Sequence, residues 1–462
     1  MPRRDPVRTA MTRRSALAMA ATAVAATASA GTLAACAARP APQHATIQLV
    51  LSMDLPGAGN TATTVLSLIE NYLRDHFSVQ NPGLKVKTVI GPSSTGTNGA
   101  PLAPTDAIQA VVAGTGPDVL SGTGYQLPAF LGSNLLVPLS SRVAQAGIDL
   151  TSFDAGHLHV LNQPPAGLYG LPAYDAPDVV LVNTSMLEGL GLPSPTADWT
   201  SDSAEGLWRQ SAGLYGSTRL WGMVFDIQEY FLHLFGGHLM NADGTVCLLD
   251  QPPVLTAANW LVPLYQQQVV NVDVSGGDSY VLAGQAPCGM TSARNLPAIV
   301  TGMISHGYDW DLLPMPLFPG NLRYTYNNGD WYGINALSRQ PFNALWALLS
   351  FVVLDQGFAE FMFRTTLIPP NRQGLWDPWL SIVRSVAPVL AQKQIEYYVE
   401  AMAYGVCNRR FRTQPYQCDD ILQQWILRMF LGTVPPDLAL TTATQQINAL
   451  QGASASSSGS AG

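Results

Sequence analysis

The sequence predicts an α/β layered protein built as two lobes. Three observations lead there. The early part of the chain alternates strand and helix patterns, an order that folds as a layered α/β unit. Beyond an apolar leader about 425 residues remain, too many for one simple core. The composition is 47% hydrophobic and only 12% charged, which describes a low-charge globule.

The leader comes first. Arg3, Arg4, Arg8, Arg13 and Arg14 form a basic head, and no charge follows from Ser15 to Cys36. That order is the one an export signal uses. Its Ala and Thr carry little transfer free energy beside Leu, Ile or Phe, so the run reads as a removed signal rather than a membrane span. "TRRSALA" (12–18) resembles the twin-arginine export motif, with Ala16 where that motif prefers a large apolar residue. The export route stays open, and Met11 is an alternative start. "LAAC" (33–36) resembles the bacterial lipobox, which implies cleavage before Cys36 and a diacylglycerol on its thiol. Two or more acyl chains anchor a protein stably.

Residues 36–44 read as a tether. "ATIQLVLSMD" (45–54) is a buried strand by its β-branched, apolar run. In 63–77, Leu66, Ile69, Leu73 and Phe77 share one helical face. "LKVKTVI" (84–90) alternates as a strand does, and the polar stretch near 91–104 marks a loop. "TDAIQAVVAG" (105–114) is a short helix and "PDVLSG" (117–122) opens the next strand. "ALWALLSFVVLDQGF" (344–358) is the longest later apolar run; it is too short to span a membrane and is interrupted by Asp355. The low-complexity end, from 451 to 462, is expected to be disordered.

Charge and cysteine bound the partners. Removing residues 1–35 takes away five Arg and one Asp, leaving 18 basic and 30 acidic residues and a net charge near −12. The only lysines are Lys85, Lys87 and Lys393. Nucleic acid is therefore excluded as a partner, since it demands clustered cations. Setting Cys36 aside leaves Cys247, Cys288, Cys407 and Cys418, an even number consistent with disulfides outside the cytoplasm. Three pairings are open; Cys407 with Cys418 and Cys247 with Cys288 is the most local. No CxxC pair is present, which argues against a zinc ribbon.

Longer stretches carry a resemblance. They are "GTGPDVLSGTGYQLPAFLGSNLLVPLSS" (114–141), "GLYGLPAYDAPDVVLVNTSMLEGLGLPSPTADW" (167–199), "FGGHLMNADGT" (235–245), "LAGQAPCGMTSAR" (282–294), "NNGDWYGINALSRQPFNALWALLSFVV" (327–353) and "VPPDLALTTATQQIN" (434–448). In order and spacing they resemble the extracellular solute-binding lipoproteins of ABC importers, family 1, which includes the maltose binders. The resemblance covers about 45–450, with Val182 in place of the usual Tyr before Asn183. It implies a periplasmic-binding-protein fold of type II, with two α/β lobes joined by hinge strands. The implied crossings are Tyr174–Asp178, Asp330–Gly333 and Ile368–Arg372. The lobes would be 45–173 with 333–368, and 178–330 with 372–450. It further implies a monomer, lipid-anchored on the extracytoplasmic face of the membrane, that hands a small molecule, a sugar by family, to permease subunits.

Sugar clefts use aromatic faces and paired polar groups, drawn here from loops at strand ends. Asp54 follows the first strand, where a turn role competes. Tyr125 follows the Pro-Asp strand and stacks on ligand or packs under its loop. Tyr174 and Asp175 sit in the first crossing, where the family contacts its ligand. Trp221, Glu229 and Tyr230 belong to "RLWGMVFDIQEYFLHLF", whose "QEYF" resembles a ligand segment of maltose-type binders; a core position for Tyr230 competes. Arg294 ends "GMTSAR". Trp331, in the second crossing, is aimed at the cleft by its Gly–Asp turn. Arg372 lies at the third crossing, where a hinge role explains it as well.

No catalytic residue, cofactor or metal is expected. G-x-S-x-G, H-E-x-x-H and P-loop motifs are all missing. His157 and His159 form an H-x-H that would share one face of a strand, but no further ligands stand near. Three other readings remain beside sugar import. One is a binder of glycerophosphodiester or polyol; another is a sensor or adhesion lipoprotein; the third is a secreted glycosidase, which would require paired carboxylates.

Overall fold

The computed structural model describes residues 46–51, 59–90, 104–124, 126–163, 167–225, 230–242, 244–273, 276–327, 329–406, 411 and 414–452. The leader, the tether, Cys36 and residues 453–462 lie outside the described residues.

Two five-stranded sheets organise the chain. The first contains β1 (Thr46–Leu51), β2 (Lys85–Ile90), β3 (Val119–Thr123) and β4 (Leu171–Tyr174). The second contains β5 (Asp178–Asn183), β6 (Met223–Phe225), β7 (Val270–Val272), β8 (Cys288–Ser292) and β9 (Trp310–Leu313); β10 (Asp330–Ile334) returns to the first. The first sheet runs β2-β1-β3-β10-β4, with β1, β2 and β3 parallel and β10 antiparallel to β3 and β4. The second runs β7-β6-β8-β5-β9, with β6, β7 and β8 parallel and β5 antiparallel to β8 and β9. One plan is thus used twice: three parallel strands with the first in the middle, then an antiparallel strand. The result is the two-lobed α/β binding-protein fold expected from the sequence.

Side-chain pattern explains each layer. In α1 (Gly59–Tyr72) and the π-helical turn Leu73–Phe77 that extends it, Ile69, Leu73 and Phe77 are buried. They join a first-lobe core with Phe130, Trp331 and Leu349. Along β5 the buried residues alternate between two clusters, Val180 and Val182 on one face, Val179 and Leu181 on the other. The second sheet is covered on both sides, as a largely parallel sheet requires.

Short helices supply the connections that bear on function: α2 (Ala155–Leu161) in the first lobe and α3 (Gly277–Leu282) in the second. Close backbone packing seats α3 on β8. A Cβ added at Gly277 would meet Val224 O at 2.3 Å and Met290 N at 2.5 Å. Neither is a flexible side chain. Gly277→Ala is therefore expected to cost about 2–3 kcal/mol, read as a lowered denaturant midpoint with unchanged slope.

The apolar run at 344–358 is core. It forms α4 (Phe342–Leu354), buried on most sides, then breaks at Asp355, whose carboxylate accepts from Phe358 N at 2.7 Å to start α5 (Gln356–Thr366). Among the described residues no single helix is long and apolar enough to cross a membrane, and α4 and α5 bend by 59° at their break. α5 straddles the lobes. Phe358 and Met362 belong to the first-lobe core, whereas Phe363 and Leu367 pack with Trp376 and Trp379 of α6 (Trp376–Val386).

Three differences from the sequence expectations concern this framework. The second passage between sheets is complete before Asp330, because Asp330–Ile334 already pairs in register with Val119–Thr123. The last two helices are α7 (Pro415–Phe430) and α8 (Pro436–Gln451); α8 runs one residue past 450 before Gly452 takes a left-handed φ of 70°. Cys247 and Cys288 form no disulfide. Cys288 opens central strand β8 opposite Val182, while Cys247 is held against α8, its N–H donating to Asn448 Oδ1 at 2.7 Å. Burial pushes each of these thiols up to about 12, so both are un-ionised core groups. Cys418 Sγ accepts from Gln451 Nε2 at 3.1 Å, and Cys407 lies outside the described residues.

Candidate functional site

The carboxyl ends of parallel strands are where layered α/β folds bind ligands. Here β8 ends at Ser292 and leads into a 3-10 turn carrying Arg294, while β4 ends at Tyr174 directly opposite Asp330 of β10. The Tyr174 hydroxyl donates to Asp330 Oδ2 at 2.7 Å. An Arg294 terminal nitrogen stands 3.7 Å from Asp330 Oδ1, and its guanidinium carbon lies 6.0 Å from the Tyr174 ring centre. A cation of the second lobe thus meets a carboxylate and an aromatic ring of the first. Asp330 is sealed at 1% side-chain exposure, whereas Arg294 keeps 11%. The set offers planar donors, a carboxylate acceptor and a ring, which are the groups that recognise a hydroxyl-rich solute.

A second polar cluster lies beside this one, where the passages between lobes meet. Asp175 Oδ1 is 3.0 Å from His157 Nδ1 and 3.4 Å from Asn327 Nδ2. Asn327 Oδ1 accepts from Ala176 N at 2.9 Å, and Asp175 N donates to Pro370 O at 3.1 Å. First, second and third crossings are thereby tied to one another. Burial pushes the Asp175 carboxyl above its ordinary range, and the His157 hydrogen bond opposes the shift. Gly329 makes the approach possible: a Cβ there would meet Tyr174 O and His157 Cε1, both at 2.5 Å. A cavity of about 30 Å³, room for about one water, is lined by Tyr174, Tyr332, Phe358 and Asn371.

Of the residues singled out from sequence, Tyr174 and Arg294 come together, and Asp175 is engaged with His157. Trp331 is a correction. Its indole is fully buried in the first-lobe core, edge-on to Phe130, with Nε1 donating to Thr123 O at 2.8 Å. Trp221 is another. Its backbone N–H donates to Gln285 O at 2.9 Å, which places the residue at the amino ends of β6 and β8, the edge of the sheet opposite Arg294. Arg372 sits at the third crossing, but its guanidinium donates to Leu354 O at 3.0 Å, satisfying the last turn of α4. Asp54, Tyr125 and Glu229 lie outside the described residues, as does the side chain of Tyr230, which opens the 3-10 turn Tyr230–His233.

His157 and His159 are on α2, not on a strand. Asp154 caps that helix by accepting from His157 N at 2.7 Å. The two rings diverge: His157 is buried against Asp175, and His159 Nε2 is 3.0 Å from Ala242 O. Among the described residues no group of three His, Cys, Asp or Glu converges on a point. A separate concavity of about 710 Å³ opens on the outer side of α2, walled by Val143, Ile148, Leu150, Phe153 and Leu158. His159 lines it, but Tyr174, Asp175, Arg294 and Asp330 do not.

Sequence reasoning missed Asp330 and Asn327. Both lie in "YNNGD", next to the Trp it chose. The signal was there in Asp330, a carboxylate preceding an apolar strand at a lobe crossing.

Comparison with known proteins bears on the family and the fold. The family model described as bacterial extracellular solute-binding protein matches residues 60–357. No curated protein matches by sequence. Among solved structures, an ABC substrate-binding protein from Listeria monocytogenes in complex with cycloalternan superposes with a TM-score of 0.71 at 17% identity, over 88% of this chain and 99% of that one. The sugar-binding protein MalE from Xanthomonas citri gives 0.67 at 18% identity, over 88% and 98%. The maltose/maltodextrin-binding domain MalE from Bdellovibrio bacteriovorus, bound to maltotriose, gives 0.65 at 16% identity, over 88% and 99%. At these identities the likeness establishes a shared fold.

Proposed function

The chain belongs to the bacterial extracellular solute-binding protein family, and from that premise we propose that it captures a carbohydrate between its lobes and delivers it to the membrane subunits of an ABC importer. In this reading the protein is a binder and not an enzyme. Lipid on Cys36 keeps it at the outer face of the membrane, beside the importer.

The observation that carries the reading is the contact of Arg294 with Asp330 and Tyr174 across the lobes. Hydroxyls of a saccharide pair with the guanidinium of Arg294, the partly exposed member of the set, while the buried Asp330 and Tyr174 hold that guanidinium in place. Such partners discriminate well, since a missing hydroxyl leaves a buried polar group unsatisfied. The sugars named for similar structures, cycloalternan and maltotriose, set the first probes. Ligand favours the closed arrangement of the lobes through its differential affinity for it.

A second reading has the same Arg294 in its favour: a guanidinium also recognises the phosphate of a glycerophosphodiester. A thermal-shift panel of maltotriose, cycloalternan, glycerol and glycerophosphocholine separates the two. At one hundred times its Kd a ligand adds about 2.7 kcal/mol to stability. The expected result is a rise in Tm with a saccharide that is lost in Arg294→Ala. A rise with glycerophosphocholine alone selects the second reading.

A further inference from the structure

His157 grips the pivot of the two lobes from the first-lobe side. Its helix, α2, packs into the first-lobe core through Val160 and Leu161. Its ring reaches Asp175, which begins the three-residue passage between β4 and β5. That passage is bonded to the second crossing through Ala176 and Asn327, and to the third through Asp175 N–H and Pro370 O. One side-chain pair therefore joins the body of the first lobe to the point where every crossing meets.

The pair is sealed, with side-chain exposures of 3% for His157 and 2% for Asp175. His157 Nε2 is buried and has no hydrogen-bond partner. The charged groups acting on Asp175 are His157 and the Asp154 carboxylate that caps α2; Asn327 adds an uncharged N–H. Arg294 serves the neighbouring Asp330.

We infer that His157 is the positioning residue of the hinge, and that the proton it shares with Asp175 sets the equilibrium between lobe arrangements. With the proton present the pair is neutral overall and fits its dry site. Without it, a single negative charge is left buried beside Asp154, and any arrangement that wets Asp175 gains. Lower pH favours the arrangement described here; rising pH moves the lobes away from it. The consequence for solute affinity rests on the solute-binding reading above, but the motion itself does not.

The test uses no sugar, so its failure is distinct from failure of the carbohydrate reading. Spin labels at exposed Gln145→Cys and Glu188→Cys report the distance between lobes across pH 5 to 8. The expected result is a pH-dependent shift in the distance distribution that disappears in His157→Gln and in Asp175→Asn. In the wild type, the midpoint of that shift coincides with titration of the His157 ring followed by NMR. This second readout stands even where a variant fails to fold. A wild-type distance independent of pH, an unchanged dependence in a folded His157→Gln, or a midpoint apart from the ring titration each overturns the inference.

Discussion

Trp331→Ala is expected to lower the stability of the protein by about 3–5 kcal/mol, the range for truncating a buried large aromatic. The indole lies in a slot cut by three glycines. A Cβ on Gly122 would stand 3.0 Å from Trp331 Cζ2, one on Gly333 3.3 Å from Cζ3, and one on Gly170 3.5 Å from Trp331 Cε3. Phe130 closes the slot edge-on with ring centres 5.6 Å apart, and Thr123 O receives the indole N–H. Trp331→Phe is milder, leaving a smaller void; Thr123 O loses the indole donor but keeps Gln126 N–H at 2.9 Å. Urea unfolding of both variants checks this. A Trp331→Ala protein that unfolds as the wild type does, yet has lost solute binding, would restore the cleft role that its position in the sequence suggested.

The second large effect is electrostatic. Asp278, in the first turn of α3, is buried, and desolvation raises its carboxyl to about 6 while local backbone hydrogen bonds oppose the shift. Because the folded value lies above the unfolded one, its contribution to stability is full below about pH 3.9 and is lost as pH rises through about 6. A displacement of about two pH units corresponds to about 3 kcal/mol. Asp278→Asn keeps the shape and removes the titration. Relative to the wild type, the variant should therefore gain stability steadily from pH 4 to pH 7, by up to about 3 kcal/mol. Urea unfolding of both proteins at several pH values measures this. A difference that stays constant with pH contradicts it.

The fold was largely legible because its first lobe is written in local patterns. The strand at 84–90 and the helix face of Ile69, Leu73 and Phe77 follow from spacing over a few residues, whereas the crossing after Tyr174 was implied only by the family resemblance. What was not legible depends on pairing at a distance. Tyr174 meets Asp330 across 156 positions, and no local pattern encodes that. On a strand, neighbours point to opposite faces. Reading "GDW" therefore required knowing which face of β10 is core, and the structure turns Trp331 inward. The H-x-H of α2 was ambiguous for a similar reason. Spacing of two reads as one strand face, but Asp154 caps a short helix there, and the two rings separate. The cysteine pairing had no physical signal beyond chain separation, which is a weak guide once β8 and α8 fix their positions.

Isothermal titration of the purified protein with the saccharide that raises its Tm tests the central claim most directly. The account predicts saturable binding at one sugar per chain, with a negative heat-capacity change as the lobes bury apolar surface, and its loss in Arg294→Ala. A folded protein that takes up no carbohydrate, or one whose binding is untouched by Arg294→Ala, would contradict it.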